Sequence, residues 1–410
     1  KYFPNRATGK SSNMMTKILL IDDEPAIRET VTDILHLKGF NVTCAKNGHE
    51  GLSVAEQINP DLIICDVMMP EMNGYEVARR IRSNSLMSAI PFIFLSAKSS
   101  ATDMRQGLRS GADDYISKPF FVDDLVETIK MRLQRIEDQR AEINKWTDGA
   151  RRAKMIQDTI FPPEEKFRSI FPNHFSIALP RDHVSGDFYW VYEKGNKKYV
   201  AVADCTGHGI QGALLSIVCY EKLNSIMASD LALTPATILN EVNSQLHDFM
   251  MSDPSKITLK DGMDISLCMI DYQQNELVFS GACRPMYIIS RKRIQNTKEL
   301  SLKIEKNGNH LYQLKGEIFS ISAINKNHEF QNRRLSIEEG DLLYLFSDGY
   351  VDQFGGSNNK KFKSANFRKL IFSISGEPMM CQESILQNTF EKWRGSNAQI
   401  DDVCVVGIEI

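Results

Sequence analysis

Short β-branched apolar runs alternate with amphipathic stretches through the first third of the chain. Lys17 to Ile21 reads as a buried strand and Pro25 to Lys38 as a helix ended by Gly39. Val42 to Ala45, Leu62 to Asp66, Pro91 to Ser96 and Tyr115 to Ser117 read as further strands. Gly48 to Gln57, Tyr75 to Ser83 and Thr102 to Ser110 read as helices between them. Repeated strand-helix units of this kind predict an α/β fold, a doubly wound parallel sheet of five strands. In such sheets the active groups gather at the carboxyl ends of the strands. Asp22, Asp66, Ser96 and Lys118 all stand at such ends.

From Phe121 the helical pattern continues past Trp146. Leu125, Ile129, Leu133, Ile136, Arg140, Ile143, Thr147 and Ala150 follow heptad-like spacing, which predicts a two-stranded coiled coil and hence a homodimer. A single solvated linker helix is the alternative, because Arg140 and Thr147 interrupt the stripe. A second helix is expected over Arg151 to Ile160, ended by Phe161-Pro162-Pro163. Beyond Phe175 strands dominate: Tyr199 to Val202, Ile265 to Ile270, Leu277 to Ser280, Met286 to Ile289, Leu342 to Phe346 and Val403 to Ile410. Helices are expected over Gly212 to Met227 and Pro235 to Met250, so this part predicts an α+β layered sandwich. Residues 291–334 are polar, with weak strand signals. The expected division is a leader over 1–14 (an expression remnant or disordered tail), a domain over 15–122, a helical linker over 123–163 and a domain over 164–410.

The bulk numbers change this picture little. A chain of 410 residues exceeds what one core usually covers, which agrees with two domains. A net charge of −3 gives no reason to expect nucleic acid or an anionic membrane as partner. No run approaches the roughly 18–20 apolar residues of a membrane span, and no signal peptide is visible. The eight cysteines form no C-x-x-C pair and read as buried thiols of a cytoplasmic protein, neither disulfides nor zinc ligands.

Phosphoryl transfer to a carboxylate needs a cation, an in-line acceptor and donors for the product phosphate. Asp22, Asp23 and Asp66 are suited to Mg²⁺, and Ser96 and Lys118 to the phosphate oxygens. The runs Ile21 to Glu24 (I-D-D-E), Asp66 to Gly74 (D-V-M-M-P-E-M-N-G), Leu95 to Lys98 (L-S-A-K) and Asp113 to Phe120 (D-D-Y-I-S-K-P-F) together resemble response-regulator receiver domains. The resemblance implies Asp66 as phospho-acceptor, with Asp23, Asp66 and the Met68 carbonyl as metal ligands and Asp22 orienting the site. It implies Ser96 and Tyr115 as the switch that couples the phosphate to a neighbouring face. It also implies a sensor histidine kinase or small phosphodonor as partner.

The second domain carries aspartates beside glycines or other acids: Asp187, Asp204, Asp348, Asp401 and Asp402. Carboxylates converging from distant segments suit two divalent cations that make an attacking water nucleophilic. No serine or cysteine stands in a nucleophile context. The runs Pro180 to Trp190, Asp204 to Ala213, Asp261 to Ser266, Phe346 to Gly356 and Asp401 to Cys404 resemble the metal-dependent (PPM) Ser/Thr phosphatases of the SpoIIE-like branch, and Ala150 to Pro163 resembles that branch's leading helix. The resemblance implies an α/β/β/α sandwich and two Mn²⁺ or Mg²⁺ ions. It assigns Asp187, Asp204 and the Cys205 backbone carbonyl to the bridged pair, with Asp348 and Asp401 completing one metal and Asp402 as the alternative to Asp401. His208 is a candidate general acid or a structural residue of a glycine turn. Arg181 is a candidate phosphate ligand or a structural ion pair. Asp264 either touches a third ion or caps a turn. Ser185 replaces a common glycine, Cys404 a common threonine, and Phe319 to Ser322 a Pro-Ile-Gly-like turn.

The expectation is a response regulator whose output dephosphorylates phosphoserine or phosphothreonine on a partner protein, which the resemblance suggests is an anti-sigma-factor antagonist. The alternative is a catalytically weak phosphatase fold that binds a partner in a phosphorylation-gated way. No helix-turn-helix follows the receiver-like part, and the asparagine and glycine boxes of a kinase output are not found.

Overall fold

The computed structural model describes residues 15–97, 105, 107, 109–228, 233–251, 261–295, 298–322 and 328–410. They fall into two compact units, Lys1–Trp146 and Thr147–Ile410. The expected leader over 1–14 and most of the helix expected over Thr102 to Ser110 lie outside the described residues.

In the first unit β1 (Lys17–Ile21), β2 (Asn41–Ala45), β3 (Leu62–Asp66), β4 (Phe92–Ser96) and β5 (Asp114–Ser117) form one parallel sheet, in the order β2-β1-β3-β4-β5. Burial on both faces explains why the central strands read as unbroken apolar runs. Ile63, Cys65, Phe92 and Phe94 pack on one face with α2 (Gly48–Ile58) and α3 (Gly74–Ser83). Leu62, Ile64, Ile93 and Leu95 pack on the other with α1 (Pro25–Leu37). Asn47 and Asn73 start α2 and α3 by accepting from the Glu50 and Glu76 N–H groups.

The helix after β5 is a single element, α4 (Val122–Ile160). The break expected before Arg151 does not occur, because no proline falls between Val122 and Ile160 and the one internal glycine, Gly149, is tolerated in a long helix. Two members of the heptad stripe, Leu125 and Ile129, are fully buried in the first unit's own core, with Leu133 packed against it.

The second unit is a four-layer sandwich. One sheet runs β15 (Arg333–Ser336), β10 (Glu276–Ala282), β9 (Gly262–Asp271), β8 (Lys197–Cys205) and β7 (Asp187–Lys194), with β14 (Ile321–Ser322) also on β9. The other runs β12 (Leu300–Lys306), β13 (Asn309–Leu314), β11 (Met286–Ser290), β16 (Leu342–Phe346), β19 (Val403–Glu409) and β6 (His174–Leu179). The two-residue period of the strands divides their side chains between layers. Val200, Val202, Cys268 and Ile270 meet Ile288, Leu343, Leu345 and Val406 between the sheets, with Phe167 of the short α5 (Glu164–Ile170) in the same core. Tyr199 and Ala201 face α6 (Gly209–Met227) and α7 (Pro235–Met251) outside. On the far side Tyr287 and Tyr344 pack with α9 (Ser364–Ile374) and α10 (Met379–Arg394), the short α8 (Gly349–Asp352) lying nearby and the small hairpin β17 (Phe354–Gly355) and β18 (Lys360–Lys361) following it. The polar stretch 291–334 contains the hairpin β12-β13. All eight cysteines are free, but Cys44, Cys283 and Cys381 are exposed, against the expectation that all are buried. Among the described residues no helix is long and apolar enough to cross a membrane.

Candidate functional site

The parallel sheet brings its four end residues together. Asp22 and Ser96 are fully buried and Asp66 nearly so. The Lys118 ammonium donates to Asp22 Oδ2 at 2.7 Å and to Asp66 Oδ1 at 3.0 Å. Met68 N–H donates to Asp66 Oδ2 at 2.8 Å, and Glu24 N–H to Asp22 Oδ1 at 2.9 Å. Burial pushes the Asp66 carboxyl above its ordinary range, against the pull of Lys118. Burial alone would lower the Lys118 ammonium, but its bonds to Asp22 and Asp66 outweigh that, and it rises. Asp23 stands beside them, half-buried. Two buried acids held by one ammonium fit a hard cation and a phosphoryl group, whose charge would be shared by the same donors. Tyr115 packs its ring edgewise on Phe94, 6.2 Å between centroids.

In the second unit the register of three adjacent strands sets three aspartates in one row. Asp187 pairs with Asp204 across β7-β8, and Asp204 with Asp264 across β8-β9. By the strand period all three share the face of Val191, Val200, Val202 and Cys268, which looks toward the second sheet. That sheet supplies Asp348 just after β16 and Asp401 just before β19. Ser347 stitches these ends together: its N–H donates to Cys404 O at 2.9 Å, and its Oγ accepts from Cys404 N–H at 2.9 Å. Gly349 is required here, since an added Cβ would overlap the Asp402 carbonyl.

The electrostatics follow from burial. Asp187 is pushed well up, by desolvation first and by the Asp204 charge next. Asp204 is pushed up to about 7 by burial, with Arg284 pulling down and Asp348, Asp401 and Asp264 pushing up. Asp401 rises for the same first reason. The Oδ2 atom of Asp187 is buried without a hydrogen-bond partner. An orphaned carboxylate oxygen in a crowd of acids is a site short of positive charge, so these residues fit divalent cations. Among the described residues no three such groups already stand in a metal-holding arrangement. The carboxylates are instead spaced around a guanidinium. Arg284 reaches Asp204 Oδ2 at 2.5 Å, Asp348 Oδ2 at 2.8 Å and Asp264 Oδ2 at 3.4 Å.

Arg284 was not singled out in the sequence. Its signal is a charged residue set between two buried strands, in Ala282-Cys283-Arg284-Pro285-Met286. Asp264 lies within β9, not at a turn, and accepts from Ser320 Oγ at 2.5 Å. Asp402, the alternative to Asp401, has both carboxylate oxygens engaged by backbone donors. Its oxygens accept from Arg181 N–H and Gly186 N–H, both at 2.7 Å, so it holds the loop before Asp187. Arg181 contributes that backbone N–H, and its residue is exposed. His208 lies between Gly207 and Gly209, whose positive φ values (+91° and +65°) make the sharp turn into α6. Its Nδ1 is 3.3 Å from Asp182 Oδ2 and its ring is half exposed. Cys205 is buried, its carbonyl against Gly186.

The family model described as "Stage II sporulation protein E (SpoIIE)" matches residues 194–410, more than half of the chain. This chain belongs to the SpoIIE family. Residues 18–130 match the response regulator receiver domain. The chain is therefore a receiver joined to a domain of a protein phosphatase family. Among solved structures it is similar to the SiaA-PP2C domain of Pseudomonas aeruginosa, at 25% identity and a TM-score of 0.56, covering 66% of this chain and 99% of that one. Among curated proteins it is 39% identical over 130 residues to the DNA-binding response regulator MtrA of Mycolicibacterium smegmatis, covering 32% of this SpoIIE-family chain and 56% of that protein. It is 39% identical over 123 residues to the DNA-binding dual master transcriptional regulator RpaA of Synechocystis, covering 30% and 51%. The chain thus spans little more than half the length of the curated relatives it matches.

Proposed function

We propose that this chain is a cytoplasmic response regulator whose output is a metal-dependent serine/threonine protein phosphatase. Asp66 takes a phosphoryl group from a sensor histidine kinase or small phosphodonor, with Mg²⁺ at Asp22, Asp23 and Asp66. Lys118 and Ser96 hold the product phosphate, and Ser96 with Tyr115 passes its presence on. In the output domain Asp187, Asp204, the Cys205 carbonyl, Asp348 and Asp401 would hold two Mn²⁺ or Mg²⁺ ions. Such ions supply charge neutralisation for the phosphoryl oxygens and make water nucleophilic at neutral pH. His208, half exposed in its glycine turn, would serve as the general acid that protonates the leaving hydroxyl. The substrate is a phosphoserine or phosphothreonine protein, and an anti-sigma-factor antagonist is the partner class this family suggests.

The observation that carries the reading is the aspartate row Asp187-Asp204-Asp264 facing Asp348 and Asp401, with one buried carboxylate oxygen unsatisfied. It favours catalysis over a silent adaptor, because an adaptor has no use for a buried carboxylate oxygen left unsatisfied among other acids. The test is phosphate release from a phosphorylated antagonist with Mn²⁺, with and without acetyl phosphate. Activity is expected to need the metal. Asp204→Asn or Asp348→Asn is expected to lower turnover by roughly 100-fold or more, since a bound ion contributes several kcal/mol to the transition state. Undiminished release in excess chelator would refute it.

A further inference from the structure

The guanidinium of Arg284 occupies the centre of the carboxylate cluster, and its backbone is built to put it there. Arg284 lies on the crossover from β10 in one sheet to β11 in the other. The turn is locked. Cys283 N–H donates to Glu317 O, Glu317 N–H to Gly281 O, and Arg284 N–H to Ala282 O, each at 2.7 Å. Gly316 and Gly281 pack so closely on the Arg284 carbonyl that an added Cβ would come within 2.5 and 2.6 Å of it. Cys283 takes a left-handed φ of +57° to make the bend. The side chain is largely buried, at 15% exposure.

The pairing is also incomplete. One terminal nitrogen serves Asp204, Asp264 and Asp348, while Nε is buried without a partner. A structural arginine-carboxylate pair normally uses the planar fork on a single partner. Here the group acts as a single positive charge shared among three acids, while Asp187 Oδ2 beside them has no partner.

We propose that Arg284 is a built-in cation of this site: it holds Asp204, Asp264 and Asp348 together when no divalent ion is bound, and competes with that ion for them. The proposal rests on reading the cluster as a metal site. A tethered charge need not be captured from solution, so it holds mutually repelling acids in place even where no metal is available. A divalent ion must displace it, which weakens apparent metal affinity and sets a threshold below which the enzyme stays unloaded.

The test is calorimetric titration of Mn²⁺ into the full chain stripped of metal, in an Asp66→Ala background that takes a ligand from the receiver's own cation site, with melting temperatures measured in parallel. Arg284→Met keeps most of the side chain and removes the charge. It is expected to bind Mn²⁺ about tenfold or more tightly than the wild type, to melt lower without metal, and to gain more on Mn²⁺ addition. Arg284→Lys, which keeps a charge without the fork, is expected to fall between, and gives the comparison should the Met variant fail to fold. Equal or weaker Mn²⁺ affinity in the variants overturns the proposal while leaving the metal reading intact. Absence of Mn²⁺ binding in wild type and variants alike overturns both.

Discussion

Asp401 and Asp402 are neighbours in sequence with different surroundings. Asp402 is 2% exposed and accepts from two backbone N–H groups, at Arg181 and Gly186. Hydrogen bonds to a charged group are worth about 1.5–3 kcal/mol each, and losing the acceptor strands both donors. Asp402→Ala is therefore expected to cost about 3–6 kcal/mol of stability, read from the denaturant midpoint. The Asp401 carboxylate accepts from its neighbour's N–H, and burial first, with the Asp348 charge after it, pushes it up. Asp401→Ala is expected to leave the midpoint nearly unchanged and to remove most of the phosphatase activity. Equal destabilisation by both substitutions would contradict this division of roles. At the receiver site, Asp66→Ala is expected to abolish labelling by a small phosphodonor, with the fold retained by circular dichroism. That the aspartates matter is legible in the chain, because each sits at a strand end or glycine turn. Which of an Asp-Asp pair faces the cluster is not, since adjacent residues at the start of a strand point opposite ways and only register decides.

Elements were legible where burial is one-sided or complete, and illegible where a polar residue does a core residue's work. The parallel strands announce themselves as apolar runs. Helix α10 does not, because its buried face Met379, Gln382, Leu386, Phe390 contains a glutamine, which accepts from Tyr344 Oη at 2.7 Å. The hairpin β12-β13 was obscured by charged residues on the exposed side of β12. The last turns of α4 hide a similar case. Gln157 is 1% exposed: its Nε2 donates to Ser185 O at 2.7 Å, and its Oε1 accepts from Ser185 N–H at 3.1 Å. One side chain thereby replaces a strand partner for the residue two before Asp187. Gln157→Leu keeps the volume and strands both backbone groups, so a loss of about 1–3 kcal/mol is expected. Because the loop before Asp187 is also held by Asp402, the fold should survive while Mn²⁺-dependent turnover falls. A variant with wild-type melting temperature and turnover would show that this contact does not position the loop.

For the whole molecule, a phosphate at Asp66 can bias the output only if its two states differ in some structural contact. Pairing of two chains along α4 is the contact we propose, and the structure revises its energetics. Leu125 and Ile129 are already spent in the receiver's core, and Leu133 packs against it. The stripe left for a partner chain is Ile136 and Ile143, with Trp146 beside it, the last two 64% and 67% exposed. At about 1.5–3 kcal/mol for each side chain buried, this amounts to several kcal/mol per chain. Association itself costs about 4–15 kcal/mol. The two terms are close, so the helix alone would make at most a weak dimer, one that an added receiver contact could tip. That balance suits a switch better than a permanent coiled coil, since only a near-even equilibrium responds strongly to a few kcal/mol. Phosphodonor is therefore expected to shift sedimentation from monomer toward dimer and to raise phosphatase activity in parallel. Asp substitutions at Ile136 and Ile143, which spare the receiver's core, should yield a monomer with basal activity that no longer responds to the phosphodonor. A monomeric variant that still responded in full would remove α4 pairing as the transmitter.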